Sequence, residues 1–581
     1  MSTPRPSGET HVLVNLPPAT RQNSGTATPA VVGSKDLDAS SEPRRKEPED
    51  RFEDGTVVDF DEAEDFSEHP RGLKLVLLMV ALCLSVFLIA LDTTINSTAT
   101  PRITDEFHSL DDISWYGSVY PLGTAATQLL VGKLFTYLSI KWVFIAAIVI
   151  FEAGSALCGA APSSAAFIIG RAISGVGCAG VFPGAMIIVA HSAPLEQRPL
   201  LSGILIGMFG IASVAGPLLG GVFTSDVSWR WCFYINLPFG AITLFFLVFF
   251  FKLPKSSHRK PENIPLRAKI WRFDPIGAFV FVPSIVSLLL ALQWGGTQYA
   301  WGSPRIIGLF VTFGVLLLIF LAIQVWMGPD ATVPVHIFRR RSIWSSVFFG
   351  FCLYGAFFLF AFYLPVWFQA IKSDSPIKSG VSTIPVVITL VLGSLISGAV
   401  VTATGYYNPW LYLSPVLMSI GAGLISTFKT NTGHARWIGY QVIFGFGVGV
   451  GMQQPMIAVQ TVLPLEHVPT GTALLMFMQT LGSAIFISVG TNIFETNLVN
   501  GIIQNVPIPG LNPKVVASIG ATSLGQIIPA QYLPAVLEVY NTALTKAFRV
   551  SIYLSAISAI GAGIIEWKSV KGRKDISMAA A

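Results

Sequence analysis

The chain has 581 residues, of which 52% are hydrophobic and only 12% charged, with a mean hydropathy of +0.63. A soluble domain carries about 25% charged residues, so an ordinary aqueous fold is excluded. The net charge of +5 is spread over loops instead of gathered in one stripe, which argues against a nucleic-acid-binding face. The five cysteines, Cys83, Cys158, Cys178, Cys232 and Cys352, form no metal or disulfide spacing and read as packing residues.

Residues 1–70 are rich in Ser, Thr, Pro and charge, with too little apolar content to offset chain entropy, and read as a disordered tail. No signal peptide precedes the first apolar run, so the tail is expected in the cytosol. That run, 75–91, is seventeen residues without a charge. About 20 helical residues cross a hydrocarbon core of about 30 Å. Comparable runs recur, about fourteen in all, and predict an all-α polytopic membrane protein. The expected spans lie near 74–98, 115–134, 142–160, 165–190, 200–223, 234–251, 275–292, 306–326, 343–368, 380–402, 410–428, 437–459, 470–493 and 544–565.

Basic residues fall on one side of this pattern: Lys252 to Arg272, Arg339 to Arg341, and Lys568 to Lys574. Cytosolic loops concentrate Lys and Arg, so both termini are expected in the cytosol. The expected organisation is a six-helix bundle at 71–251, a basic loop at 252–273, and two linker spans at 274–341. A second six-helix bundle follows at 342–567, and a tail at 568–581. The Pro-rich segment 497–541 is expected to lie on the outer surface as a helix and turns. The Asn96-Ser97-Thr98 sequon sits at a span end and is discounted.

Charges inside spans are costly and mark function. Asp92 and Arg171 are expected about 9 Å below the outer face on the first and fourth spans. Pairing favours a carboxylate and desolvation favours the neutral acid, so two such groups can act as a proton switch or stay a permanent ion pair. Glu152 is a weaker third candidate. Gly210, Gly216, Pro217, Gly220 and Gly221 give the fifth span a texture for close packing and bending. The same texture recurs at Gly445 to Gly451. No nucleotide-binding Gly-x-x-x-x-Gly-Lys-Ser/Thr and no metal cluster is visible, so no cofactor is expected and an ion gradient is the expected energy source.

These residues carry a resemblance. Leu91-Asp92-Thr93-Thr94-Ile95-Asn96 resembles the first-span motif of the 14-span drug:proton antiporter branch of the major facilitator superfamily, and Gly170-Arg171-Ala172-Ile173-Ser174-Gly175-Val176-Gly177 its fourth-span motif. Gly210 to Gly221 is similar to its fifth-span antiporter motif. Trp229 to Pro238, Phe273-Asp274-Pro275-Ile276-Gly277 and Phe362 to Gln369 resemble further signatures. The resemblance spans about 70–570 and is nearest fungal toxin and multidrug efflux pumps. One departure stands out: the usual Asp-Arg after the second span is Thr136-Tyr137 here, so the cytosolic latch must be rebuilt or weaker.

The resemblance implies two six-helix bundles plus two extra helices, and alternating access to a midplane site. It implies export of amphipathic small molecules in exchange for protons, with Asp92 and Arg171 coupling and 216–221 forming the moving interface. Asn96, Gln128, Tyr354, Phe358 and Gln453 are expected in the cavity. The chain is expected to be a monomer in the plasma membrane, with the vacuolar membrane as the alternative. Two other readings stay open: proton-coupled uptake of a small solute such as an iron chelate, and a membrane sensor on a transporter scaffold. An intramembrane enzyme would need His or paired acids at mid-depth.

Overall fold

Residues 70, 72–109, 112–251, 271–296, 298–506 and 528–571 are described by a computed structural model. The tail 1–69, the bulk of the basic loop at 252–270, the outer stretch 507–527 and the C-terminal 572–581 lie outside the described residues.

A backbone in hydrocarbon has no water to bond, so it must satisfy itself within each segment. Helices result, and among the described residues the β-structure is two isolated bridges. In chain order the helices are α1 (Leu73–Phe107), α2 (Ile113–Tyr137), α3 (Ile140–Ala160), α4 (Ser164–Ser192), α5 (Arg198–Val222), α6 (Trp231–Tyr234) and α7 (Asn236–Phe250). There follow α8 (Pro275–Trp294), α9 (Pro304–Met327), α10 (Val335–Phe338), α11 (Arg341–Ile371), α12 (Pro376–Ser382), α13 (Ile384–Thr404) and α14 (Asn408–Ile425). The last are α15 (His434–Met452), α16 (Gln454–Val462), α17 (Val468–Asn505) and α18 (Leu533–Ile564).

Each of the fourteen expected runs has a helical counterpart, the sixth as α6 with α7 and the twelfth as α15 with α16. Twelve are long and apolar enough to cross a membrane by length and composition. The other two are α2, diluted by residues such as Thr124, Gln128 and Lys133, and α14, whose 18 residues include Asn408, Pro409 and Tyr412. Helix α9 is the least covered, with Leu318 68% and Val325 71% exposed. Apolar side chains standing clear of any protein partner fit a lipid-facing surface.

Several ends differ from expectation. Helix α1 runs through Pro101 to Phe107, α17 continues to Asn505, and α18 starts at Leu533. Residues 497–505 and 533–541 are therefore extensions of spans, not a surface-lying helix and turns. Charges and prolines stop a hydrophobic run but not a helix that has reached water. The extensions pack on each other with Gly501 against Val539, and just beyond them Lys546 Nζ donates to Asn497 Oδ1 at 2.7 Å.

Helices α1 to α7 pack among themselves, as do α11 and α13 to α18, and the two groups meet along α5–α13 and α2–α17. Glycine spacing sets the closest approaches. In α15, Gly445 and Gly449 face Val386 and Leu390 of α13, while Gly447 and Gly451 face Met418 and Ser414 of α14. One helix is thereby wedged between two neighbours, which is tight packing rather than a site.

Candidate functional site

The site begins with an ion pair. Asp92 is fully buried, and its Oδ2 accepts from Arg171 Nη1. Oδ1 accepts from Asn236 Nδ2 at 3.3 Å, and the same amide donates to Ser155 Oγ at 3.2 Å. The guanidinium of Arg171 lies over the Tyr120 ring at 4.5 Å and the Phe233 ring at 6.0 Å. Aromatic faces partly compensate a buried cation. Helices α1, α2, α3, α4, α6 and α7 all contribute side chains to this cluster.

Local sequence explains why these groups meet. Helix α4 is slotted between α2 and α3: a Cβ at Gly175 would strike the Tyr120 backbone, and one at Gly177 the Phe151 backbone. The glycines around Arg171 thus bring its helix close enough for the side chain to lie on Tyr120. The expected shared depth rested on α1 ending near Thr98; the helix ends at Phe107, yet the two groups still meet.

The aromatic signature 229–238 forms the neighbouring wall. Trp229 Nε1 donates to Glu106 Oε2 at 2.5 Å, and Arg230 Nη2 pairs with Glu106 Oε1 at 2.8 Å. Arg230 also donates to the carbonyls of Gly159 and Ala161. These bonds fasten the end of α1 to α6 and fix the start of α7, where Asn236 reaches Asp92. Sequence reasoning missed Asn236; its only signal was a polar residue opening an apolar span inside a signature.

The fifth-span glycines divide between two neighbours. Gly216 and Gly220 face Thr94, Ile95 and Thr98 of α1, all within two turns past Asp92. Gly210 faces Val391 of α13, while Pro217 and Gly221 approach Gly380 and Ile377 of α12. Of the residues expected in a cavity, Gln128 Oε1 accepts from Thr480 Oγ1 at 3.4 Å across the α2–α17 seam. Tyr354 and Phe358 stack at 5.9 Å on α11. Asn96 Nδ2 donates to Tyr116 O at 3.1 Å, and Gln453 Nε2 to Ser394 O at 2.8 Å, so each amide nitrogen bonds a neighbouring backbone, and the five are not one cluster. A separate polar cavity of about 560 Å³ lies between α17 and α18, lined by residues such as Asn500, Gln504 and Glu538.

Around Thr136 and Tyr137, where the sequence departs from the resembled motif, the linker supplies many of the contacts. Lys133 Nζ donates to Asp330 O at 2.5 Å and Arg272 O at 3.2 Å. Tyr137, standing where the family has Arg, packs on Phe273 at 5.7 Å and donates to Asp330 Oδ1 at 3.4 Å. Thr136 and Thr470 share a hydrogen bond at 3.2 Å between the two groups of helices. Buried Asp274 accepts from Gly277 N, Gln324 Nε2 and both Thr332 N and Oγ1, which clamps α8 to α9.

The comparisons agree with this architecture. The chain is 54% identical over 514 residues to the MFS-type efflux pump MFS1 of Trichophyton rubrum, covering 88% of this chain and 95% of that protein. It is 55% identical over 496 residues to the efflux pump roqT of Penicillium rubens, covering 85% and 91%. It is 50% identical over 511 residues to the efflux pump aflT of Aspergillus parasiticus, covering 88% and 99%. The fold resembles that of the human organic anion transporter MFSD10, with a TM-score of 0.54 at 14% identity over 84% of this chain and all of that one. The sequence profile of the Major Facilitator Superfamily matches residues 82–487. This multi-pass membrane protein belongs to the Major Facilitator Superfamily.

Proposed function

We propose that the chain is an efflux transporter that exports amphipathic organic compounds in exchange for protons. The observation that carries the coupling is the buried Asp92–Arg171 pair with its Asn236 support. Breaking a buried ion pair costs about 3–5 kcal/mol while the freed charge stays dry. Protonating Asp92 removes its charge, so the acid can leave Arg171 at lower cost. Proton uptake and helix separation are thereby linked. Arg171 keeps its position on Tyr120 through the cycle, and α5, packed on α1 through Gly216 and Gly220, carries the movement toward α12 and α13. The names of the relatives support export over uptake.

In this reading α1–α7 and α11–α18 are the two rocking bundles, with α8–α9 as the linker. Both termini face the cytosol, and the protein is a monomer of the plasma membrane. Gln128, Tyr354 and Phe358 line the path, with Asn96 and Gln453 as its shoulders. Apolar and aromatic walls with few polar groups accommodate varied ligands. The test is ethidium-dependent proton flux in reconstituted vesicles. Wild type moves protons inward as dye moves out, and Asp92→Asn does not; equal flux from both would refute the assignment.

A further inference from the structure

One buried acid is left over. Glu152 of α3 is 8% exposed, and neither of its carboxyl oxygens has a hydrogen-bond partner among the described residues. It lies one helical turn from Ser155, whose hydroxyl accepts from the Asn236 amide that also bonds Asp92. Facing it on α7, one turn from Asn236, is Gly240, where a Cβ would collide with the Glu152 carboxyl. The antiparallel pair α3–α7 thus places Ser155 on Asn236 and Glu152 on Gly240. The glycine leaves room for a carboxyl and supplies nothing to bond it.

On the elements packed against α3, the titratable side chains around this cluster are Tyr120 of α2, Arg171 and Cys178 of α4 and Cys232 of α6, with Tyr234 lying further along against Gly159; α7 brings none. None bonds either Glu152 oxygen. An ionised carboxylate with no partner in an apolar site is strongly disfavoured, and it neutralises by taking a proton.

We propose that Glu152 is a second proton-carrying carboxyl of the transport cycle. It holds a proton while α7 covers it and gives it up to water when α7 moves off α3. The Glu152 O–H bond forms with a proton from water on one side and breaks to water on the other, with no electron transfer. Each cycle then exchanges one proton more than Asp92 alone can carry. This rests on the proton-exchange reading above.

The test uses the full chain in two arms. In infrared spectra at neutral pH, wild type shows a carboxylic-acid C=O stretch that Glu152→Gln lacks; this arm needs no substrate, and absence of that difference overturns the proposal. In vesicles with a one-unit pH gradient and the membrane potential clamped, ethidium accumulation by Glu152→Gln falls about tenfold, the value of one proton per pH unit. Accumulation equal to wild type overturns the proposal. Accumulation by wild type that survives collapse of the pH gradient is a separate result, which overturns the exchange reading and this inference with it. Where Glu152→Gln elutes as aggregate, Gly240→Ala decides: its added methyl meets the carboxyl, so the C=O stretch shifts, and an unshifted stretch overturns the proposal.

Discussion

Replacing Gly216 with Ala puts one methyl group into the seam between α5 and α1. The added carbon would strike Thr94 Oγ1 and lie 2.8 Å from Thr94 Cβ, closer than real Cβ atoms come, and 3.1 Å from Ile95 N, tighter than ordinary contact. Ile95 N is backbone, so relief requires α1 itself to move, and α1 holds Asp92 less than one turn away. Thr94 Oγ1 also approaches Ala212 O at 3.2 Å across this seam, and that contact goes with it. Overpacking costs about 1–3 kcal/mol, which is roughly 5- to 150-fold in any equilibrium that needs the seam closed. The same helix supplies its own controls. At Gly207 and Gly221 the added methyl would meet Val391 and Ile377 at 3.5 Å, ordinary contact. Alanine raises helix propensity by up to about 1 kcal/mol over glycine, and the controls share that gain. The assay is the initial rate of ethidium efflux with the thermal midpoint in detergent. Gly216→Ala should lose at least about fivefold in rate, and Gly207→Ala and Gly221→Ala should stay within about twofold of wild type. Equal rates in all three would refute the claim that the α1–α5 seam governs the cycle.

Asn236→Ala removes the neutral donor to Asp92; a hydrogen bond to a charged group is worth about 1.5–3 kcal/mol, so efflux at neutral pH should fall roughly tenfold or more, read from transport rates across a pH series. Arg171→Lys keeps the charge but loses the flat guanidinium that lies on Tyr120, and should cost more than Tyr120→Phe, which keeps the ring; the comparison is made by efflux rate at matched expression. Lys133→Ala frees the carbonyls of Arg272 and Asp330 and should lower the thermal midpoint by the equivalent of about 1–3 kcal/mol, whereas Lys141→Ala, at the start of α3, should leave the linker's protection from proteolysis unchanged. Trp367→Phe removes the 2.7 Å bond to Asn541 Oδ1, which also orients the amide that donates to Phe428 O, and should destabilise by about 1–3 kcal/mol in the same melt.

The fourteen helices were legible because hydrocarbon forces long uncharged runs, and such runs are visible without a partner. Their ends were not, because α1 and α17 continue as ordinary helix once they reach water, where Asp105, Glu106 and Glu495 are tolerated. Asp92 and Arg171 stood out because a charge within a span is rare. Asn236 did not: it is neutral, sits where a span could simply begin, and finds Asp92 144 positions away in the chain. The loss of the usual latch was plain from Thr136 and Tyr137. The linker contacts around them were not, since Lys133 is held by backbone carbonyls, which leave no trace in side-chain identity. The isolation of Glu152 likewise depends on Gly240, and a single glycine in an apolar helix gives no hint of what it faces.

The central claim is that a proton on Asp92 releases it from Arg171 and lets the helices part. The most direct measurement is dye accumulation against its own gradient in vesicles carrying wild type or Asp92→Asn, with the pH gradient imposed and then collapsed. Wild type should concentrate ethidium only while the gradient lasts, and Asp92→Asn should merely equilibrate it. Uphill accumulation by the variant, or accumulation by wild type that survives loss of the gradient, would contradict the account.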